Sequence, residues 1–447
     1  MKQPANFVSF GRRSLAAAGL RLLVLVLAAS FLIAARGPSA LAEGFAIYSL
    51  GGRATALNGA VTARRPKDPT VLAYNPSLAA RLEKNAVTAG LTVIGTQGRV
   101  QLAPPVAGGT SHTSHSAYHF LPHMYFNYRL TDRLVLGVSE FSRFGLGNEF
   151  QPDWPGRYNV YKILFQTMSL NTVLAANVTD DLSVAAGLEV MYAALTMRRK
   201  IPMFDNNNGA YLGQADLFID KAKDVTWGFG LSAHYQFDQQ WAMGLSYRAP
   251  VKIRASGPVS FRNDNPGDPT AQAYFAQVFH NGDVSGVVTL PENISVGLSF
   301  TPTERLSLEA NVIWTRWTRY KELALNLPAP LGLRAEDKNW KNNWRLGFGV
   351  EYALTDWLDL RGGYSYITSP MIDALADYNV PTNGRHNYSV GLGFHSERYS
   401  LDLAYSFVDC KDRDYSRASQ TGNGTLDSKS RGFLAHEMVA SFTYYLN

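Results

Sequence analysis

The sequence predicts an all-β membrane protein: a 14-stranded antiparallel outer-membrane β-barrel with an N-terminal plug, or hatch, inside its lumen. The first observation is that strand-like segments after Val87 are joined alternately by very short turns and by long polar loops. This sorting of connections by side is typical of outer-membrane barrels, which also have an even number of strands. The short turns lie at 131–132, 179–181, 238–240, 302–304, 355–356 and 396–398, and the long loops at roughly 102–117, 147–157, 202–222, 257–281, 326–337, 370–383 and 410–431.

The second observation is a period of two within the strands. In 387–394, Tyr388, Val390 and Leu392 alternate with small and polar residues. The same alternation recurs in 305–314, in 401–408 and in the last strand. Because successive strand side chains point to opposite faces, each segment has one face for lipid and one for the lumen. A large soluble β-protein is the alternative.

The third observation is an amino-terminal targeting segment at residues 1–42. A basic start precedes an apolar run from Leu22 to Ala35, and Ala40-Leu41-Ala42 supplies a small-x-small cleavage pattern. The apolar run is too short for a membrane helix, which needs about 20 residues. We therefore expect a cleaved signal peptide at 1–42, a plug at 43–86 and the barrel at 87–447.

The charge balance changes once this segment is removed. The whole chain has a formal net charge of +6, but five of its basic residues and none of its acidic residues lie in 1–42. The mature chain then has 37 basic and 36 acidic residues, so the sequence gives no support for a nucleic-acid partner. Cys410 is the only cysteine, which excludes an intrachain disulfide. We expect no metal and no cofactor.

The third strand departs from the regular alternation. Leu134, Leu136 and Val138 occupy alternate positions and so share one face of the strand, but the next position on that face is Glu140. A charge on the lipid face costs about 2–4 kcal/mol near the midplane, and a β-bulge avoids that cost by switching the facing. We expect either such an irregularity or a Glu140 that already lies in the outer interface. The residues assigned to the irregularity are Ser139, Glu140, Gly145 and Gly147.

Residues 43–86 do not read as barrel strands. They combine four glycines and three prolines with apolar residues such as Phe45, Leu57 and Leu72. The apolar content argues against the alternative of a disordered tail. We expect this segment to fold inside the barrel as a plug.

Four stretches of the mature chain form a recognisable series of motifs. They are Gly44-Phe45-Ala46 with Gly52-Arg53-Ala54 and Gly59-Ala60; Tyr74-Asn75-Pro76-Ser77-Leu78-Ala79; Phe144-Gly145-Leu146 with Trp154-Pro155-Gly156-Arg157-Tyr158; and Trp314, Trp317, Lys321-Glu322-Leu323 with Trp344-Arg345. In this order, they resemble the FadL-type family of outer-membrane transporters for long-chain fatty acids and other hydrophobic compounds. The resemblance spans nearly the whole mature chain, and the order and spacing of the motifs are more specific than any one of them.

The resemblance implies a 14-stranded barrel, an amino-terminal hatch and a kinked third strand that opens the wall sideways. It also implies passive uptake of hydrophobic molecules. The chain departs from the family pattern at Ser77, at the basic stretch 64–67 and at its non-aromatic terminus, Asn447. These departures bear on gating and on assembly.

Several residues are candidates for contact with the cargo or for gating. Arginine suits the recognition of a carboxylate, and we assign that role to Arg157, with a rim residue as the alternative. Asn75-Pro76 forms a rigid turn, extended by Ser77, that would hold the hatch across the lumen. The residues expected to line the path of the tail are Phe45, Phe141, Phe144, Trp154 and Tyr158.

The expected partners are a long-chain fatty acid or similar molecule, outer-membrane lipid and the barrel-assembly machinery, with the protein as a monomer. A channel for aromatic hydrocarbons is the main alternative, since the sequence does not identify the cargo. A general porin has no need of a plug, and an adhesin would rest on the long loops alone. A lipid hydrolase would need a nucleophile–base pair, and only His112 and His115 in a polar loop suggest one.

Overall fold

The computed structural model describes residues 44–104, 111–381 and 383–446. The predicted signal peptide and the terminal Asn447 lie outside the described residues.

The structure is a closed ring of antiparallel strands. Each strand pairs with the next along the chain, and the first pairs with the last from Ala86↔Tyr445 to Leu102↔Ser428. Five wall strands are each made of two pieces. This ring confirms the predicted 14-stranded barrel. The strands are β1 Ala86–Leu102, β2 Ser111–Arg129, β3 Leu134–Phe141 and Gly145–Glu149, β4 Lys162–Asn177, β5 Leu182–Phe204, β6 Tyr211–Gln236, β7 Trp241–Arg248 and Val251–Asn263, β8 Gly282–Leu290 and Asn293–Thr303, β9 Leu306–Thr315 and Glu322–Asn326, β10 Leu333–Asp337 and Asn343–Thr355, β11 Leu358–Ile367, β12 Arg385–His395, β13 Tyr399–Cys410 and β14 Ser428–Tyr445.

The two faces of the wall differ as the alternation predicts. In β12, Tyr388 and Val390 are 50% and 60% exposed, whereas Asn387 and Ser389 are buried. Outward apolar side chains of this kind suit contact with lipid tails. Among the described helices, none has both the length and the apolar character needed to span a membrane.

One segment predicted as a long loop, 202–222, is mostly strand, and another, 326–337, is strand over half of its length. The β5–β6 hairpin continues to Phe204 and Tyr211, and the outer pieces of β9 and β10 pair from Glu322↔Asp337 to Asn326↔Leu333. Their polar sequences indicate that the chain has left the lipid. Backbone pairing nevertheless continues there, because it satisfies the N–H and C=O groups in water as well as in lipid.

Backbone pairing is interrupted in several parts of the wall, for example between Gly230↔Arg248 and Lys223↔Ser256 of β6 and β7, and between Thr315↔Asn343 and Glu322↔Asp337 of β9 and β10. Two other interruptions bear on the site. Between β2 and β3 pairing stops at Met124↔Glu140, and residues 142–144 separate the two pieces of β3. Between β8 and β9 it stops at Asn293↔Thr315 and resumes only at Val287↔Ala324. We call these interruptions the β2–β3 gap and the β8–β9 gap. The first falls within the stretch predicted to be irregular.

The amino-terminal segment, residues 44–85, has little regular structure and packs against inward-facing wall residues. Its turns are stabilised by local caps: the Asp68 side chain accepts a hydrogen bond from Thr70 N at 2.8 Å. Gly244 on the wall allows a close approach, because a Cβ there would lie 1.9 Å from the Thr62 oxygen. The helices are α1 Gly52–Ala56 and α2 Pro269–Val278, with 3₁₀ turns at Pro69–Ala73, Pro76–Arg81, Pro155–Tyr158, Trp317–Arg319, Asp373–Leu375 and Ala418–Gln420.

Candidate functional site

A large apolar cavity, which we call the chamber, lies inside the ring towards the long loops. Its empty volume, including space open to solvent, is about 840 Å³. Aliphatic and aromatic side chains from seven wall strands and from the amino-terminal segment form most of its lining. They are Phe45, Leu146, Ile163, Phe165, Leu195, Ile219, Ala222, Ile253, Ala255, Val284, Val287, Val288, Tyr320, Leu323, Ala324, Leu325, Trp340 and Val380.

The charged groups at the chamber are paired with each other. Lys338 lines it and forms an ion pair with Asp377, which also lines it. The Lys338 ammonium lies 3.0 Å from Glu336, and Glu336 lies 2.5 Å from Arg199. Lys338 therefore has two carboxylate partners, so the chamber presents little unbalanced charge to a bound molecule.

The start of the amino-terminal segment, residues 44–48, crosses the break in β3, and we call it the strap. Ile47 N donates to Arg143 O at 2.8 Å, and Gly145 N donates to Phe45 O at 2.8 Å. Ala46 and Phe144 form an antiparallel bridge. The strap thus supplies backbone partners to the interrupted part of β3.

Phe45 anchors the strap in a cluster of aromatic rings. Its ring centroid lies 4.7 Å from that of Trp317, 5.6 Å from Phe165 and 5.7 Å from Trp340. Gly44 adopts φ +61°, and a Cβ there would lie 2.6 Å from Trp340. Only glycine combines that backbone with so close an approach.

Beyond the strap lies a second cavity of about 500 Å³, the lower cavity. It is more polar than the chamber because Arg143 and Arg248 reach it. Arg143 forms an ion pair with Glu189, and Arg248 donates to Leu72 O at 3.0 Å. The two arginines and Glu189 together carry one net positive charge. The lining also includes Ala46, Ile47, Tyr48, Leu50, Thr62, Ala73, Tyr74, Phe144, Ser246, Asn293, Ser295 and Ile313.

Buried ion pairs attach the amino-terminal segment to the wall. Glu351 of β10 accepts hydrogen bonds from Arg53 at 2.8 and 3.0 Å and from Arg361 at 2.8 Å. Lys67 lies 2.5 Å from Asp359. Breaking a buried pair is strongly destabilising because it leaves an uncompensated charge. These contacts favour a segment that stays attached to the barrel.

The predicted turn at Asn75-Pro76-Ser77 lies among these wall contacts. The Asn75 amide donates to Thr62 O at 2.6 Å, and its side-chain oxygen accepts from the Ser77 hydroxyl at 2.6 Å. Pro76 occupies the first position of a 3₁₀ turn, where the missing N–H has no cost. All of these contacts are consistent with a fixed turn.

Asp68 has an unusual environment in the same segment. It is buried, and one of its carboxylate oxygens has no hydrogen-bond partner among the described residues. Burial, with the nearby Asp402 carboxylate, raises the pKa of Asp68, and Arg53 and Thr70 offset only part of that rise.

Of the six predicted ligand residues, two line a cavity. Phe45 lines the chamber and Phe144 the lower cavity. Phe141 is fully buried beside them, with the Arg248 guanidinium 5.4 Å from its ring centroid. The other three, Trp154, Arg157 and Tyr158, lie in the loop after β3.

Arg157 does not line the chamber. Its guanidinium donates to Gln214 at 2.9 Å and to the Tyr158 hydroxyl at 3.2 Å, and it lies 4.6 Å from the Tyr158 ring centroid. Trp154 stacks on Phe150 with centroids 4.0 Å apart and donates to Val160 O at 2.9 Å. The three residues pack within the loop, and a contact with a carboxylate stays a prediction.

The residues predicted for the β3 irregularity lie on both sides of the break. Ser139 and Glu140 come before it, and Gly145 and Gly147 belong to the outer piece of the strand. Glu140 pairs with Met124 and Leu170 at the lower edge of the β2–β3 gap. It is only 3% exposed, and its carboxylate oxygens accept no hydrogen bond from the described residues.

Sequence reasoning missed several lining residues. Arg143, Arg248 and Lys338 are separated by about a hundred residues each, and no local pattern joins them. Ala255 and Val284 lie on either side of the predicted loop 257–281, and no local pattern marks them as lining residues. One usable signal is the pair of tryptophans, Trp317 and Trp340, in segments too polar to be lipid-facing.

The chain matches the family model described as outer membrane protein transport protein (OMPP1/FadL/TodX) over residues 32–444. A putative outer membrane protein of Neisseria meningitidis is 25% identical over 95% of this chain and 98% of its own length. The long-chain fatty acid transport protein of Escherichia coli K12 is 23% identical over 80% of this chain and 84% of its own length.

Solved structures agree on the fold. A Pseudomonas aeruginosa FadL homologue has a TM-score of 0.78 at 19% identity and covers 90% of this chain and 100% of its own. The Pseudomonas putida toluene transporter TodX has a TM-score of 0.69 at 16% identity and covers 89% of this chain and 98% of its own.

These similarities confirm the predicted family, the outer-membrane location in a Gram-negative bacterium and the absence of an enzymatic role. The family transports hydrophobic compounds, which confirms that part of the predicted function. Because the family model covers most of the chain, the protein belongs to the FadL/TodX family of outer-membrane transport proteins.

Proposed function

We propose that the protein takes up long-chain fatty acids or similar hydrophobic molecules passively, and that the chamber is where the cargo binds. The observation that carries the proposal is the apolar lining of the chamber, in which Lys338 is paired with two carboxylates. Burial of an apolar chain contributes about 0.8 kcal/mol per methylene. Such a lining captures cargo from water without an energy source.

The cargo's path would continue past the strap into the lower cavity and out through the β2–β3 gap. The strap separates the two cavities, since Phe45 lines the chamber and Ala46 lines the lower cavity. Residues 44–85 would act as the hatch, held in place by the ion pairs of Arg53 and Lys67. In this mechanism only the strap has to move.

An acidic head group would meet positive charge in the lower cavity rather than in the chamber. Arg143 and Arg248 reach that cavity, and Glu189 balances only one of them. Charge-assisted hydrogen bonds from arginine suit a carboxylate. Arg157, at the rim, stays our predicted first partner for the same group.

Uptake of an aromatic hydrocarbon is the second candidate, favoured by the paired state of Lys338. A neutral molecule needs no charged partner in the chamber, so the lack of unbalanced charge there does not weaken its binding. In both cases the protein works as a monomer, and its assembly in the membrane would depend on the barrel-assembly machinery.

The test is uptake of labelled oleate and labelled toluene by a deletion strain that carries each variant. Ala255→Trp fills the chamber, and Ala310→Trp is the matched control, because Ala310 is exposed on the outer face of β9. We expect the first variant to lose uptake and the second to keep it. Equal uptake by the deletion strain and the wild type would refute the proposal.

The same assay separates the two classes of cargo. Arg157→Ala should lower oleate uptake and spare toluene if Arg157 recognises a carboxylate. An equal loss for both compounds would mean that it does not.

A further inference from the structure

We propose that the β8–β9 gap is a second lateral portal, through which apolar molecules dissolved in the outer leaflet enter the chamber. This inference rests on the proposed function of the chamber and adds a route into it. It is distinct from the β2–β3 gap, which lies on another part of the ring.

The gap is a local loss of pairing between β8 and β9. On the other side of β8, Val288 and Leu290 still pair with β7, at Ile253 and Val251. On the other side of β9, ladder pairing with β10 is also absent between Thr315↔Asn343 and Glu322↔Asp337. Backbone hydrogen bonds bridge that stretch, since Trp340 N donates to Tyr320 O at 3.3 Å and Lys338 N donates to Lys321 O at 2.7 Å.

The edges of the gap are well defined. Above it, Val287 pairs with Ala324. Below it, Arg316 N donates to Glu292 O at 3.0 Å, and the Arg316 and Arg319 side chains lie 3.1 and 3.0 Å from the Glu292 carboxylate. Between these edges, β9 has more residues than β8, and the excess forms the 3₁₀ turn Trp317–Arg319. The mismatch in length keeps the strands from pairing.

The chamber reaches this gap from inside. Its lining includes the half-buried Val288 and Leu323, and also Val287 and Ala324, which pair at the upper edge. Val287 is 45% exposed on the outer surface. The lining of the chamber therefore extends to the upper edge of the gap.

The gap lies at the level of the outer membrane interface. Directly below it, neighbouring strands carry a row of aromatic residues in register: Tyr247 and Trp314 both pair with Ile294, and Trp314 pairs with Trp344. Such a row marks the boundary between lipid tails and head groups. The apolar cargo held in the outer leaflet is therefore adjacent to the opening.

The chemistry of the rim fits an apolar molecule arriving from the membrane. The upper edge is aliphatic, and the arginines of the lower edge are already paired with Glu292. An apolar molecule at the boundary of the lipid tails has to cross only the head-group level, between the aromatic row and the opening, to reach the chamber.

The test is the rate at which an apolar diazirine-bearing alkane, dissolved in a nanodisc bilayer, labels the chamber peptides that contain Phe45 and Trp340. Thr289→Trp and Thr318→Trp each place a bulky ring at the gap, between its upper and lower edges, without changing a residue that lines the chamber. The matched controls are Ala310→Trp on β9 and Leu298→Trp on β8, both exposed on the outer face of the wall. Mass spectrometry after timed illumination gives the loading rate.

We expect each portal variant to slow labelling by about tenfold, equivalent to about 1.4 kcal/mol on the barrier. The controls should label at the wild-type rate, and all proteins should reach the same final occupancy. Equal rates in portal variants and controls would overturn the portal. Absence of chamber labelling in the wild type at equilibrium would instead overturn the proposed function of the chamber.

Discussion

Replacing Phe45 with alanine should release the strap from the break in β3 without unfolding the barrel. The Phe45 side chain is 5% exposed and contacts five aromatic rings, whose centroids lie between 4.7 Å (Trp317) and 6.2 Å (Phe144) away. The backbone around it makes two inter-segment hydrogen bonds, Ile47 N to Arg143 O and Gly145 N to Phe45 O. The aromatic contacts are therefore the main attachment of the strap.

The magnitude follows from the size of the lost side chain. Truncation of a buried phenylalanine to alanine typically costs about 3–5 kcal/mol. If the closed strap is destabilised by the lower value, about 3 kcal/mol, relative to a locally open state, the population of the open state rises by about 100-fold, since each 1.4 kcal/mol is a factor of ten. Amide exchange at Ile47 and Gly145 should accelerate by about that factor.

Hydrogen–deuterium exchange in nanodiscs measures this effect directly. Phe150→Ala is the matched control: Phe150 is equally buried, but it stacks on Trp154 in the outer loop and does not touch the strap. Only Phe45→Ala should speed exchange at Ile47 and Gly145. Unchanged exchange there in a folded Phe45→Ala barrel would refute the idea that aromatic packing holds the strap.

Four further predictions test the charged groups. Arg248→Met should lower oleate uptake more than toluene uptake, because it removes a cation from the lower cavity; an equal change for both would contradict the proposed head-group contact. Asp377→Asn leaves Lys338 with Glu336 as its one carboxylate partner, so the affinity of the isolated protein for oleate should rise relative to its affinity for a neutral alkane. Calorimetry measures both affinities, and an unchanged ratio of the two would mean that the pairing of Lys338 does not control selectivity. Glu351→Ala should lower the free energy of unfolding in urea by about 3–5 kcal/mol, because it leaves the buried Arg53 unpaired. The control Glu83→Ala, at the exposed pair with Arg65, should lower it by under about 1 kcal/mol. Similar losses for the two variants would contradict the role of Glu351 in anchoring the amino-terminal segment. Asp68→Asn should stabilise the protein at neutral pH, because it removes a buried carboxylate whose pKa is raised. The gain in free energy of unfolding should shrink as the pH falls through that pKa, since the wild-type carboxyl then becomes protonated. Urea unfolding at several pH values measures this gain, and a gain that does not change with pH would contradict the prediction.

The wall was predictable because its constraints are local. Every spanning strand has to alternate lipid-facing and lumen-facing residues, so residues such as Tyr388 and Ser389 identify their own faces. The alternation of apolar residues at Leu134, Leu136 and Val138 ends at Glu140. This break in the pattern likewise indicated the stretch where β3 is interrupted. Short turns such as 355–356 likewise follow from polar and turn-forming residues between two strands.

The candidate site was less predictable because its parts are distant in sequence. Arg157, chosen for its motif, contacts its neighbour Tyr158 and Gln214 of β6. Lys338 at the chamber pairs with the nearby Glu336 and with Asp377, which lies in a different loop. The hydrophobic periodicity of a strand does not show which loop packs against it. The β8–β9 gap similarly depends on a mismatch in length between two strands, which appears only once their register is known.

The sequence by itself determined the barrel, its strand number and the place where β3 is irregular, since each of these is encoded in connection length and in the alternation of side chains along the strands. The tertiary structure decided where the strap crosses β3, which side chains line the chamber and which charges are paired. Those features arise when a closed ring brings distant segments together, and their energies depend on burial and contact rather than on neighbours along the chain.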